Sequence, residues 1–203
     1  NSGASPAFTY PLGVSGKYTP AVLTPASNSS IGFVRINNVN IQHPGVIDPA
    51  NALDYYWSVQ SSGITGFSGS LVLNYGQEDV IGSQENSYIA ARLEVPGTTW
   101  TKTPGVDPAL NQITFNFAAV NNLGGEYTAG IFTAFPGNVP EYTSNSNGNW
   151  SDKTIWTQTG GDAYPCPDGG PNGFIVIINH DVTLDANNCI AYRTTINNRL
   201  KVV

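Results

Sequence analysis

Methionine is absent from this chain of 203 residues, cysteine and histidine occur twice each, and only 11% of the residues are charged. Each shortage removes a class of function. Two cysteines and two histidines with no close spacing do not make the ligand set of a zinc site. Eight Lys and Arg against fourteen Asp and Glu give a formal charge of -6, and the basic residues are scattered. A phosphate backbone needs clustered positive charge, so nucleic acid is not an expected partner. No apolar run approaches the roughly 20 residues of a membrane-spanning helix, and membrane insertion is not expected either.

Phosphate-binding glycine loops of the Walker and dinucleotide types are also missing. Gly13-Val14-Ser15-Gly16 and Gly66-Phe67-Ser68-Gly69 lack the Gly-x-Ser-x-Gly spacing of a nucleophile elbow. His43 precedes Pro44 and reads as a turn residue, while His180, between Asn179 and Asp181, reads as a turn cap. The expectation is a protein without enzymatic activity and without a resident cofactor. The opening Asn1-Ser2-Gly3-Ala4-Ser5-Pro6 has no charged and apolar regions of a signal peptide, so the chain is expected to derive from a longer precursor.

What the sequence does hold is 22 Gly, 14 Pro and 40% hydrophobic residues, the composition of strands joined by many turns. Period-two alternation recurs through the first two-thirds. Tyr55, Trp57 and Val59 share one face; Leu71, Leu73 and Tyr75 repeat the pattern, as do Ile89, Ala91 and Leu93, and then Ile113, Phe115 and Phe117. Further strands are expected over 31–36, around Trp100 and over 127–132. Asp48-Pro49-Ala50-Asn51 predicts a single helical turn, capped by Asp48. The fold class expected is all-β: an immunoglobulin-like antiparallel β-sandwich over residues 1–140, followed by a short β-helix-like or small β unit over 141–203.

The boundary rests on Ser144-Asn145-Ser146-Asn147-Gly148-Asn149, which carries neither helix nor strand period. After it come short strands over 174–178, 182–184, 190–192 and 200–203, with Asn pairs between them. Asn tolerates the left-handed backbone of sharp corners, which suits the turns of a parallel β-helix. A second small sandwich is the alternative. The final strand runs to Val203, so further turns are expected beyond it. Cys166 and Cys189 bracket the middle of this unit and are expected to form a disulfide, with two buried thiols as the alternative. The closed loop of about 24 residues corresponds to roughly 3 kcal/mol on the chain-entropy model.

Candidate binding residues are few. Calcium is the one ion to consider, at Glu78 and Asp79 near Glu85, or at Asp181, Asp185 and Asn187. Trp100, Trp156 and Tyr164 lie among Thr, Ser and Gly and are candidates for an exposed sugar-stacking face, against the commoner role of closing a β domain. Glu78, Asp79, Glu85 and Glu94 are the carboxylates from which a glycosidase pair would have to come. Lys17 and Lys102 are the nominal donors for an intramolecular isopeptide bond, although solvated lysines are the expected state.

Two stretches carry a resemblance. Tyr10-Pro11-Leu12-Gly13-Val14 through Lys17-Tyr18-Thr19-Pro20, with Asn51-Ala52-Leu53-Asp54-Tyr55-Tyr56-Trp57 and Leu71-Val72-Leu73-Asn74-Tyr75, resembles a module recurrent in large type IX-secreted surface proteins of Bacteroidota. The arginine common in that module is missing at Asp54-Tyr55. Gly148-Asn149-Trp150-Ser151-Asp152 through Trp156, with His180-Asp181-Val182-Thr183-Leu184-Asp185-Ala186, resembles a segment that begins a β-helical region in the same proteins. The resemblance implies export, display on or release from the outer cell surface, and a structural or adhesin role. The partners it implies are neighbouring domains of the same polypeptide and, during export, the secretion machinery. Glycans would be partners if the chain were an accessory region of a polysaccharide-degrading enzyme. Like subunits would be partners if it were a self-assembling surface-fibre subunit.

Overall fold

The computed structural model describes residues 6–95, 97, 99–137, 141–159, 170–171, 174–185 and 191–203. Cys166, Cys189, Tyr164 and Asn187 lie outside these residues, and with them the expected disulfide. The described chain is all-β, its only helical pieces being single 3-10 turns. It divides into two compact units, one ending at Pro136 and the other spanning Gly137–Val203. The division falls a few residues before the boundary read from composition.

In the first unit the strands are β1 (Phe8–Tyr10), β2 (Gly13–Val14), β3 (Lys17–Tyr18), β4 (Ala21–Ser27), β5 (Phe33–Val39) and β6 (Tyr56–Ser62). They continue with β7 (Phe67–Asn74), β8 (Tyr88–Leu93), β9 (Trp100–Thr103), β10 (Val106–Asp107), β11 (Gln112–Val120) and β12 (Gly125–Ile131). One antiparallel sheet has the order β1-β4-β7-β11-β10 and the other β5-β6-β12-β8-β9. Alternation drives both: Tyr55, Trp57 and Val59, and likewise Leu71, Leu73 and Tyr75, are buried as expected. Phe115 of one sheet meets Tyr127 of the other edge-on, ring centroids 4.8 Å apart, giving a sandwich-like core.

Strand β8 departs from the expected face. Tyr127 faces the other sheet, and its register partner on β8 is Arg92, so Tyr88, Ala90 and Arg92 point inward. Ile89, Ala91 and Leu93 point the other way. Ile89 and Ala91 are nonetheless buried, because the segment before β6 folds over that face: Ala52 bridges Gly130, and Thr128 Oγ1 donates to the carbonyl of Tyr55. Gly130 is required at this crossing, since a Cβ there would come within 2.7 Å of Ala52 Cβ. The expected turn after Asp48 forms as a 3-10 turn over Pro49–Asn51, with the Asp48 side chain accepting from Ala50 N–H.

Neither lysine considered above stands free in solvent: Lys17 is partly buried in an ion pair and Lys102 is buried. Ser15 and Gly16, both at positive φ, make the tight turn between β2 and β3. That turn delivers Lys17 to the buried carboxylate of Asp79, where its Nζ also donates to Asn40 Oδ1 at 3.1 Å. The Asp79 hydrogen bond raises the pKa of Lys17. Lys102 is buried with its Nζ 4.1 Å from the ring centroid of Phe132.

Two predictions arise from this unit. Ala119 sits at φ 53° in the bulge between Phe117 and Val120, a conformation that costs a residue with a Cβ about 1–2 kcal/mol. Ala119→Gly is expected to raise stability by about 0.5–1 kcal/mol after the larger unfolded-state entropy of glycine is subtracted; a lower urea midpoint would contradict it. The second concerns alkali. Burial pushes the hydroxyls of Tyr75 and Tyr127 far up and that of Tyr88 up to about 12. Values raised in the folded state mean that stability is intact below pH 10 and falls as pH climbs toward 12. Tyrosinate absorbance from these residues should therefore appear together with unfolding, not ahead of it.

The second unit contains β13 (Glu141–Ser144), β14 (Gly148–Asn149), β15 (Trp156–Thr159), β16 (Phe174–Ile178), β17 (Asp181–Leu184), β18 (Ala191–Ile196) and β19 (Arg199–Val202). Three times the chain makes a strand, a corner and another strand. The strands stack in two parallel ladders, β13-β16-β18 and β14-β17-β19. Strand β15 runs antiparallel on the outer side of β13. Trp150, Ile155, Trp156, Val176, Ile178 and Val182 form the core between them, joined by Tyr142, Leu184, Ala191 and Leu200.

Candidate functional site

Two places combine defined geometry with polar chemistry. The first is a hollow in the first unit where β6 and β12 part. Their pairing is limited to Val59 with Gly125, Ser58 with Glu126 and Trp57 with Tyr127. Beyond Gly125 the preceding turn is drawn aside and tied down. Arg92 Nη2 donates to the carbonyls of Asn122 (3.1 Å) and Gly124 (2.7 Å) from inside the core, where its guanidinium lies 5.6 Å from the Tyr127 ring centroid. Ser61 Oγ accepts from Leu123 N–H and donates to Asn122 Oδ1, which also accepts from Gly124 N–H.

The separation leaves a hollow of about 280 Å³, lined by Ser58, Gln60, Ser61, Asn122 and Glu126, by Val59 and Val95, and by Gly124 and Gly125 of the turn. Glu126 is fixed from behind. His43 is buried, its Nδ1 accepts from Gly45 N–H at 2.9 Å, and its Nε2 lies 2.7 Å from Glu126 Oε2. With Nδ1 occupied as an acceptor, the proton is assigned to Nε2 and donated to the carboxylate. The imidazole packs edge-on against Tyr56 and Trp100, at 4.9 Å from each ring. Burial raises the Tyr56 hydroxyl pKa, and the nearby Glu126 charge raises it further. His43 is thus no simple turn residue: it is the support of Glu126.

The second place is the line of corners in the second unit. Asn197 Nδ2 donates to Asn179 Oδ1 at 2.8 Å, so corner asparagines of successive turns bond along the stack. Asp181 N–H donates to Asn147 Oδ1 at 2.9 Å, and Arg199 pairs with Asp181. Ser144 Oγ accepts from Asn179 and His180 N–H, and His180 Nδ1 lies 2.9 Å from the Ser144 carbonyl. His180 therefore closes a corner, as the sequence suggests.

The other candidates are placed as follows. Trp100 and Trp156 are 5% and 8% exposed, so neither offers a stacking face; Trp156 closes the second core and donates its Nε1–H to the carbonyl of Trp150. Asp79 is bound by Lys17 and accepts from Gly76 N–H, and Glu85 accepts from Tyr75 and Gln77. Glu94 lies 3.3 Å from Arg92. Asp185 accepts from Ser151 N–H and Oγ, which lowers its pKa. Among the described residues no three His, Cys, Asp or Glu side chains cluster as a metal site, and no helix is long and apolar enough to cross a membrane. Sequence reasoning missed Glu126, Asn122, Gln60 and Arg92. The signal that existed was Asn121-Asn122-Leu123-Gly124-Gly125, a turn too rich in Asn and Gly for a simple hairpin.

Comparison with family models, with curated proteins and with solved structures returns no match.

Proposed function

We propose that this chain is a non-enzymatic structural or adhesive segment of a large secreted or cell-surface protein, an immunoglobulin-like sandwich followed by the opening turns of a parallel β-helix. The observation that carries the reading is the stacking of three strand-corner-strand turns in two parallel ladders, with hydrogen bonds running along the corners. Stacked turns contact only their neighbours, so such a unit extends a chain in one direction and serves as spacer or stalk. The motif resemblance to type IX-secreted surface proteins supplies the cellular setting. Neighbouring domains of the same polypeptide are then its main partners.

Antibodies raised against residues 6–203 are expected to label intact source cells or their culture medium. Label confined to lysed cells overturns the reading. An accessory carbohydrate-binding role is the second reading, favoured by the hollow at Glu126.

A further inference from the structure

We propose that the hollow between β6 and the 122–126 turn is a binding site for a neutral saccharide. Its polar groups divide into two sets. Ser61 Oγ and Asn122 Oδ1 are consumed in holding the turn, and Glu126 Oε2 is held by His43. The Ser58 hydroxyl, the Gln60 amide, Asn122 Nδ2 and Glu126 Oε1 have no hydrogen-bond partner among the described residues and line the same hollow. One carboxylate, two amides and a hydroxyl around one hollow, with the exposed Val95 beside them, match the alternating donors and acceptors of vicinal diols and the apolar face of a sugar ring.

The chemistry discriminates against other ligands. Glu126 carries a negative charge in a chain of net charge -6, with a neutral imidazole as its partner, so an anion is repelled. Calcium needs six to eight oxygen ligands, and the hollow offers a single carboxylate. The volume, about 280 Å³, lies just below the range of about 300–1,000 Å³ for drug-sized ligands and suits one sugar ring. The turn backbone and the carboxylate are preorganised, because Arg92 anchors the turn from the core and His43 orients Glu126, while Gln60 and Asn122 are exposed and the Gln60 side chain is ordered on binding.

In the row across the sheet, Asn37 is the register partner of Ser58, which is the partner of Glu126. These three positions follow one another at strand spacing, about 4.8 Å apart. A ligand longer than one ring is therefore expected to run across the strands toward β5, and not along them.

The test is titration of isotopically labelled protein with glucose, galactose, mannose, N-acetylglucosamine and their disaccharides, followed by backbone amide shifts. The expected result is saturable movement of Ser61, Gly124 and Gly125 by at least one sugar, with Kd on the order of 10 mM or tighter. Glu126→Gln keeps the acceptor for His43 and should weaken binding about tenfold or more, through loss of a charge-assisted bond. Gln60→Ala should weaken it about fivefold, and Lys201→Ala, in the second unit, should not change it. Failure of every sugar to shift these amides overturns the proposal. So does binding that Glu126→Gln and Gln60→Ala leave intact, or shifts centred elsewhere. None of these results bears on the spacer reading, which rests on the ladders of the second unit.

Discussion

Replacing Trp150 with alanine is expected to unfold the second unit. Trp150 is buried, its ring lies 5.2 Å from that of Trp156, and its Nε1–H donates to the carbonyl of Pro171 at 3.0 Å. Truncating a buried Trp costs about 3–5 kcal/mol. Among the described residues six make up the buried cluster, a small core in which each large side chain counts. Hydrogen exchange should show lost protection at Val176, Ile178 and Val182 and retained protection at Leu71, Leu73 and Tyr127 of the first unit. Trp150→Phe, which keeps part of the volume, should cost about half as much. Unchanged protection at Val176 and Ile178 in the alanine variant would show that the tryptophan pair is not the centre of that core.

The ion pair of Lys17 and Asp79 is expected to respond asymmetrically to mutation. The Lys17 side chain is 22% exposed and the Asp79 side chain 2%. Removing Lys17 strands a carboxylate that water cannot reach, and a buried charge without its partner costs about 3–5 kcal/mol. Removing Asp79 leaves a lysine that can turn outward. What is lost then is the pair itself and the cap on Gly76 N–H, about 1–3 kcal/mol. Lys17→Met should therefore lower stability in urea denaturation more than Asp79→Ala. The double variant should be less destabilised than the sum of the two, by more than about 1 kcal/mol. Equal single effects with additive combination would mean that the pair is solvent-screened and contributes little.

The sequence made some of this architecture legible and left the rest hidden, for identifiable reasons. Tyr55, Trp57 and Val59 were readable because alternation is local and one face of β6 is buried. Asp48 was readable because an N-cap is decided within three residues. The face of β8 was misread for the opposite reason. Both of its faces are covered, so Arg92 could lie inward against Tyr127 and Phe117 while Ile89 and Ala91 were buried on the other side. Period-two alternation identifies an apolar face, and it does not say which sheet that face meets.

The candidate site was less legible still. Glu126 acquires its meaning from His43, 83 residues away, and Asn122 from Ser61, 61 residues away. No local pattern encodes such pairs. The tryptophans were the visible lure, since aromatic residues near Ser and Gly look available to a sugar; packing consumed both Trp100 and Trp156. For the corners, the residue type was readable and the partner was not. Asn197 was expected at a turn, but only the register of β16 with β18 shows that it bonds to Asn179.

The stack of turns also has a direction in time. At one side β15 and the tryptophan pair close the ladder, while β18 and β19 at the other carry no further strand among the described residues. Corner bonds between the first two turns join residues 34 to 36 positions apart, and those between the next two join residues 18 apart. Loop closure becomes costlier by about 0.6 kcal/mol for each doubling of length, so joining the first two turns is the dearer step. On closure entropy alone the last two turns, 18 residues apart, are the easier pair to bring together, and the first turn then meets an edge already formed.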